Sequence, residues 1–221
     1  ELSAGATHAC AILADGTLRC WGSASSGELG DGTTGGVDGF RASPVSPTLP
    51  TGRTATAVAA GSNHTCAVLD DGALQCWGDN TFHQLGDGTT TPKLAPGGAS
   101  VALGAKALSV AAGQLHTCAL LEGGAVKCWG SNTFGQVGDA STTDRTTPVP
   151  VTLGSAAKAV SAGFEHTCAI LSDDSLRCWG NNASGQLGDG TGMDRSSPTP
   201  VTFASGRTVK QVTTGRQHTC A

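Results

Sequence analysis

The pattern Gly-x-x-His-x-Cys-Ala occurs five times, at His8, His64, His116, His166 and His218, and it constrains the fold more than any other feature of the chain. The copies lie 50 to 56 residues apart. Cys-Trp-Gly follows each of the first four, at Cys20, Cys76, Cys128 and Cys178. A glycine-rich loop comes next, as in Gly185-Gln186-Leu187-Gly188-Asp189-Gly190, and a proline-bearing passage closes the unit, as in Pro148-Val149-Pro150-Val151. A period of roughly 50 residues suits one four-stranded propeller blade. The sequence therefore predicts an all-β fold of propeller-type tandem blades. The expected units are residues 1–53, 54–105, 106–155 and 156–206, with a fifth begun at 207–221.

Within unit two, strands are expected at Thr56 to Ala60, His64 to Leu69 and Ala73 to Trp77, with a fourth around Ala99 to Leu103. The second alternates His64, Cys66 and Val68 on one face with Thr65, Ala67 and Leu69 on the other, which is strand periodicity. The cysteines test this hairpin. Positions 10 and 20, 66 and 76, 118 and 128, and 168 and 178 are all ten apart. Opposed residues of an antiparallel pair share a constant index sum, so the register joining Cys66 to Cys76 also joins Leu69 to Ala73. It leaves the three-residue loop Asp70-Asp71-Gly72, whose last residue belongs in the left-handed region. Gly16, Gly72 and Gly124 sit at that position, and Asp174 replaces glycine in unit four. Directly opposed cysteines of a non-hydrogen-bonded pair lie near the ~4.5 Å Cα separation at which a bridge closes. Disulfides Cys10–Cys20, Cys66–Cys76, Cys118–Cys128 and Cys168–Cys178 follow, and Cys220 is left without a partner in this chain. Four bridges place the chain in an oxidising location: extracellular, cell surface or periplasm.

Charged residues make up only 14% of the chain and the net charge is −4, so a basic nucleic-acid footprint is excluded. No apolar run approaches the length of a membrane span, so membrane insertion is not expected. Aromatic residues are 4%, with no Tyr, which leaves Ala, Val, Leu and four Trp to build the core.

The long pattern from Gly113 to Asp139, repeated in register through the chain, resembles the regulator-of-chromosome-condensation repeat family. The paired cysteines are similar to a bacterial, exported branch of it. The resemblance implies a β-propeller, usually of seven blades. The family includes a nuclear exchange factor for a small GTPase, a plant ultraviolet photoreceptor and a secreted β-lactamase inhibitor, so the fold does not fix the function. Against that pattern the sequence starts at one blade's first strand, without an initiator Met, and stops inside a fifth blade's second strand. It reads as a piece of a longer product. The expectation is an open arc or part of a larger propeller, whose ends more blades or another copy would cover.

The recurrent histidine invites a zinc reading, since His64, Cys66 and Cys76 share one face. Oxidised cysteines cannot bind zinc, and a catalytic site is not copied five times. A structural histidine bonded to nearby backbone is expected, with no metal and no cofactor. The Asp-Gly-Thr segments at Asp31, Asp87 and Asp189 resemble half a calcium loop, but they lack the alternating acids and the terminal Glu. Turn formation explains them better. The tryptophans recur once per unit, as blade-packing residues do. No singular constellation of catalytic residues stands out, so an enzyme is not expected.

Function then falls to what varies. The variable stretches are Thr33 to Leu49, Thr89 to Gly98, Thr142 to Thr147 and Thr191 to Ser197. Phe40 and Arg41 in the longest stretch, and His83 where other units have Gly, are the candidate interaction residues. The leading reading is an extracellular, non-catalytic protein-interaction scaffold whose partner is a protein or further copies of itself. The alternative is a structural subunit of an extracellular fibre or adhesin-like assembly, favoured by open sheet edges. Guanine-nucleotide exchange ranks third, because the cysteine pairs do not suit a reducing nucleus.

Overall fold

Short runs of small apolar residues punctuated by glycine turns build strands throughout. A computed structural model describes residues 1–35, 38–203 and 207–221. The first sheet is a meander of β1 (Leu2–Ala4), β2 (His8–Ile12), β3 (Leu18–Ser23) and β4 (Phe40–Val45). The second has three strands, β5 (Ala55–Ala60), β6 (His64–Leu69) and β7 (Leu74–Gly78). The third runs through β8 (Ala107–Ala112), β9 (His116–Leu121), β10 (Val126–Gly130) and β11 (Arg145–Pro150). The fourth comprises β12 (Ala157–Ala162), β13 (His166–Leu171), β14 (Leu176–Gly180) and β15 (Arg195–Pro200). A two-stranded ribbon of β16 (Thr213–Thr214) and β17 (Thr219–Cys220) follows. Every strand pairing among the described residues is antiparallel. The fold is all-β, of tandem propeller-type blades. Among the described residues no helix is long and apolar enough to cross a membrane.

The hairpin register agrees with the sequence reading. Cys66 opposes Cys76, and His64 opposes Gly78. Leu69 N–H donates to the Ala73 carbonyl at 2.9 Å, closing the three-residue loop. Gly72 takes φ +83° there, and Asp174 takes +65° in the fourth unit. The Sγ atoms of Cys10–Cys20, Cys66–Cys76, Cys118–Cys128 and Cys168–Cys178 are bonded, and Cys220 is an exposed free thiol.

The fourth strand of unit two departs from expectation: no strand forms at Ala99 to Leu103. Only an isolated bridge, Gly78 to Lys93, stands where other units pair Gly130 with Arg145 and Gly180 with Arg195. Val101 N–H still reaches the Leu74 carbonyl at 2.9 Å, as Val151 reaches Val126 and Val201 reaches Leu176. Two more residues separate Lys93 from Val101 than separate Arg145 from Val151. Gly97 and Gly98, at φ +150° and +72°, absorb them and break the ladder.

The core is divided into slabs between blades. Trp77 packs with Cys10, Cys20, Leu18 and Leu29 of the preceding unit. Trp129 packs with Leu74 and Leu85, and Trp179 with Val126 and Val137. All six residues of β6 are buried, because Cys66 and Val68 feed one slab while Ala67 feeds another. Truncating one such Trp to Ala would cost about 3–5 kcal/mol.

Candidate binding face

The recurrent residues are spent on joining blades. In each joint a threonine of one blade meets the histidine of the blade before. His64 Nε2 lies 2.9 Å from Thr117 Oγ1, and that hydroxyl donates to the Gln84 carbonyl at 2.8 Å. The hydroxyl has one proton, so the ring must donate from Nε2. The Trp129 indole N–H donates to the same Gln84 carbonyl at 2.9 Å. The set recurs as His8, Thr65, Glu28 and Trp77, and as His116, Thr167, Gln136 and Trp179. His166, Thr219 and Gln186 repeat it without a tryptophan. The histidine thus bonds a side-chain hydroxyl of the next blade, not nearby backbone as the sequence suggested, because β6 and its equivalents pack face to face across the joint.

These histidines are neutral. Burial lowers His64 from an ordinary 6.5 to about 3, with the neighbouring His8 adding to the effect, and it lowers His116 to about 3. His166 falls to about 4, again chiefly through burial. Among the described residues, Nδ1 of His8, His64, His116 and His166 has no hydrogen-bond partner.

The glycines serve the same joints. A Cβ on Gly86 would stand 2.5 Å from the Trp129 indole nitrogen, and one on Gly30 would stand 2.6 Å from that of Trp77. No side chain fits there, which explains Leu-Gly-Asp in the loops. The aspartate that follows is also internal. Asp87 accepts from Thr89 and Asn80 and pairs with Lys93 at 2.9 Å. Burial alone would raise its carboxyl, but bonds from Lys93, Thr89 and Asn80 outweigh that and hold it at about 2. Asp139 pairs with Arg145, and Asp189 with Arg195 at 2.8 Å. Chain donors thus occupy the oxygens that a calcium ion would need.

Arg41 belongs to this series. Its Nε lies 3.2 Å from Asp31 Oδ2, and its guanidinium also donates to Thr33 at 2.8 Å. Phe40 beside it is 51% exposed. His83 is half-buried at φ +63°, the position of Gly27, Gly135 and Gly185, and its ring Nδ1 donates to the Thr89 carbonyl at 3.0 Å. No hydrogen bond or ion pair joins these three candidates among the described residues. In a meander, the β1–β2 and β3–β4 connections leave a blade at the same end. The connections in which the variable stretches begin therefore share one face, where Phe40, Phe82, Leu94 and Met193 are exposed. Residues 36 and 37 of the longest stretch, and the expected unit boundary at 206, fall outside the described residues.

Sequence reasoning missed the threonines at 65, 117, 167 and 219 and the carbonyls they bind. Their recurrence beside four of the five histidines, with Ala9 beside the first, was the available signal.

Among solved structures, human WBSCR16 superposes with a TM-score of 0.89 over 99% of this chain and 56% of that one, at 22% identity. Prp20p from Saccharomyces cerevisiae superposes at 0.84 over 99% and 54%, also at 22% identity. The ultraviolet-B receptor UVR8 of Arabidopsis thaliana is 35% identical over 150 residues, 68% of this chain and 33% of the receptor. The human E3 ubiquitin-protein ligase HERC2 is 34% identical over 128 residues, 58% of this chain and 3% of the ligase. The chain thus spans about half the length of the solved structures and a third or less of these two relatives. The RCC1-like domain matches residues 1–221, and the chain belongs to that family.

Proposed function

We propose that the chain is a non-catalytic protein-interaction scaffold that works in an oxidising setting outside the cytoplasm, with one blade per unit at the boundaries set out above. One observation carries this reading: recurrent side chains hold blades together, while variable ones gather on one face. Each buried histidine makes the same bond at every joint, which is the behaviour of a strut. The variable face offers Phe40, Phe82 and Met193 to a partner. The Prp20p structures are described as binding Gsp1p and histones and as bound to Kap60, and a protein partner is proposed here by analogy of fold. The four bridges support an extracellular, surface or periplasmic location.

The fibre or adhesin reading draws on a different feature. Among the described residues, the outer strands β4, β11 and β15 each present an unpaired sheet edge, at which another copy can add a strand. Sedimentation velocity over a hundredfold concentration range separates the two. A scaffold sediments as a monomer throughout, whereas concentration-dependent assembly would transfer the assignment to the fibre.

A further inference from the structure

Within the fixed frame Gly-x-x-His, two positions never repeat. The first reads Ala6, Ser62, Gln114, Phe164 and Arg216 in successive units. These residues are neighbours in space. Ser62 N–H points to the Gln114 carbonyl at 3.4 Å, Gln114 N–H donates to Phe164 at 2.9 Å, and Phe164 N–H to Gly215 at 3.3 Å. The glycine of each frame allows this approach: a Cβ on Gly113 would sit 2.6 Å from the Gly163 carbonyl. The loops therefore form a ladder around the axis and line a concavity of about 380 Å³. Its floor is uniform and its side chains are not. The Arg216 guanidinium lies over the Phe164 ring, 4.8 Å from the centroid. The cations near the start of the outer strands, or at the equivalent place in unit two, Arg41, Lys93, Arg145 and Arg195, all have aspartate partners. Arg216 has no carboxylate partner among the described residues. Glu165, the one acid in the variable positions, is bonded to Asn181 at 3.0 Å.

We propose that this axial concavity is the specificity site of the face, and that it receives a protein segment presenting an Asp or Glu side chain to Arg216 with an apolar neighbour against Phe164. The inference rests on the scaffold reading and gives it a location and a partner chemistry. A carboxylate matches a guanidinium fork that stacking already holds in place, so little side-chain freedom is lost on binding. Variation confined to two positions of a rigid frame is also how a repeat fold changes partners without disturbing its joints.

The test is selection of a phage-displayed library of random dodecapeptides on the immobilised chain. Enrichment of Asp or Glu beside an apolar residue is expected. Arg216→Ala and Phe164→Ser each install a residue that another unit carries at the same position, Ala6 and Ser62, so the frame tolerates both. The enriched peptides should bind each variant about tenfold more weakly. Selection on Arg216→Glu should shift enrichment to Lys or Arg. No enrichment, enrichment without acidic bias, or peptides indifferent to both variants would overturn the proposal. Such a result from a chain that sediments as a monomer removes the axial site and leaves the scaffold reading standing. Self-association removes the scaffold reading whatever the peptides do.

Discussion

Replacing Thr117 by valine separates hydrogen bonding from packing at a blade joint. Thr117 is fully buried; its hydroxyl accepts from His64 and donates to the Gln84 carbonyl. Valine keeps the shape and deletes both bonds. The Gln84 carbonyl still holds the Trp129 indole, so it stays satisfied. His64 is left with a buried Nε2–H facing a methyl group, and its Nδ1 already lacks a partner among the described residues. An orphaned buried donor costs about 1–3 kcal/mol, so a loss near 2 kcal/mol is expected. Thr117→Ser is the counterpart: it keeps both bonds and loses one methyl, worth about 0.8 kcal/mol. Urea unfolding followed by far-UV circular dichroism gives the comparison, provided the slope is unchanged. Repeat chains can unfold in steps, so amide exchange of β6 and β9 should report the same order. If the Thr117→Val chain proves as stable as the Thr117→Ser chain, or more so, the joint is held by packing and the hydrogen-bond argument fails.

Acid should loosen the joints before it touches the aspartates. His64 and His116, at about 3, and His166, at about 4, all lie below the ordinary 6.5, so the unfolded chain binds protons that the fold refuses. Their contribution is complete above about pH 6.5 and falls as pH drops toward 4, by up to about 4 kcal/mol per pH unit for the three together. Asp87, held at about 2, contributes above its unfolded value near 3.8 and loses its share only below that. Urea midpoints at pH 7, 5.5 and 4.5 distinguish the two windows, and a flat profile across them contradicts buried neutral histidines. Alkylation of the unfolded, unreduced chain should label one thiol, Cys220, and reduction should expose all nine cysteines. Labelling of more than one before reduction removes the oxidised assignment. Asn132→Ala should cost about 2 kcal/mol in the same unfolding assay, because the buried amide bonds Asp139 and the Ser141 and Thr143 carbonyls and accepts from Val137. A loss under about 0.5 kcal/mol, the range of an ordinary surface substitution, shows that the loop holds itself.

The hairpin was legible because its constraints are local. Ten-residue cysteine spacing, the alternation of β6 and Gly72 at the turn all agree on one register, and each is visible within a dozen residues. The joints were not legible in that way. His64 and Thr117 are 53 positions apart, and a repeat shows that both recur without showing that they meet across units. Arg41 illustrates the same limit. In the sequence it looks like a variable interface residue, because Lys93 replaces arginine in the next unit and the aspartate it neutralises lies ten residues back. The missing strand of unit two had a visible cause in Gly97-Gly98, yet the apolar residues at 99–103 favour a strand beyond it. The axial positions were hidden by their setting, since variation inside a recurring motif reads as noise until the loops are seen side by side.

The joint has a polarity. At each of the four joints one blade gives a carbonyl and an imidazole and the next gives a threonine hydroxyl and, in the complete hairpins, an indole, whereas the first unit carries Ala9 where the others carry that threonine. Units two, three and four can therefore follow any other unit, but the first has no hydroxyl to offer a preceding blade. An in-frame duplication or loss of one of units two to four, each about 50 residues, re-forms the same joint at the splice, whereas a second copy of unit one would set Ala9 against a buried histidine. Such a splice keeps the chemistry of the joints, while the residues at the two varying positions of the frame are free to diverge after each duplication.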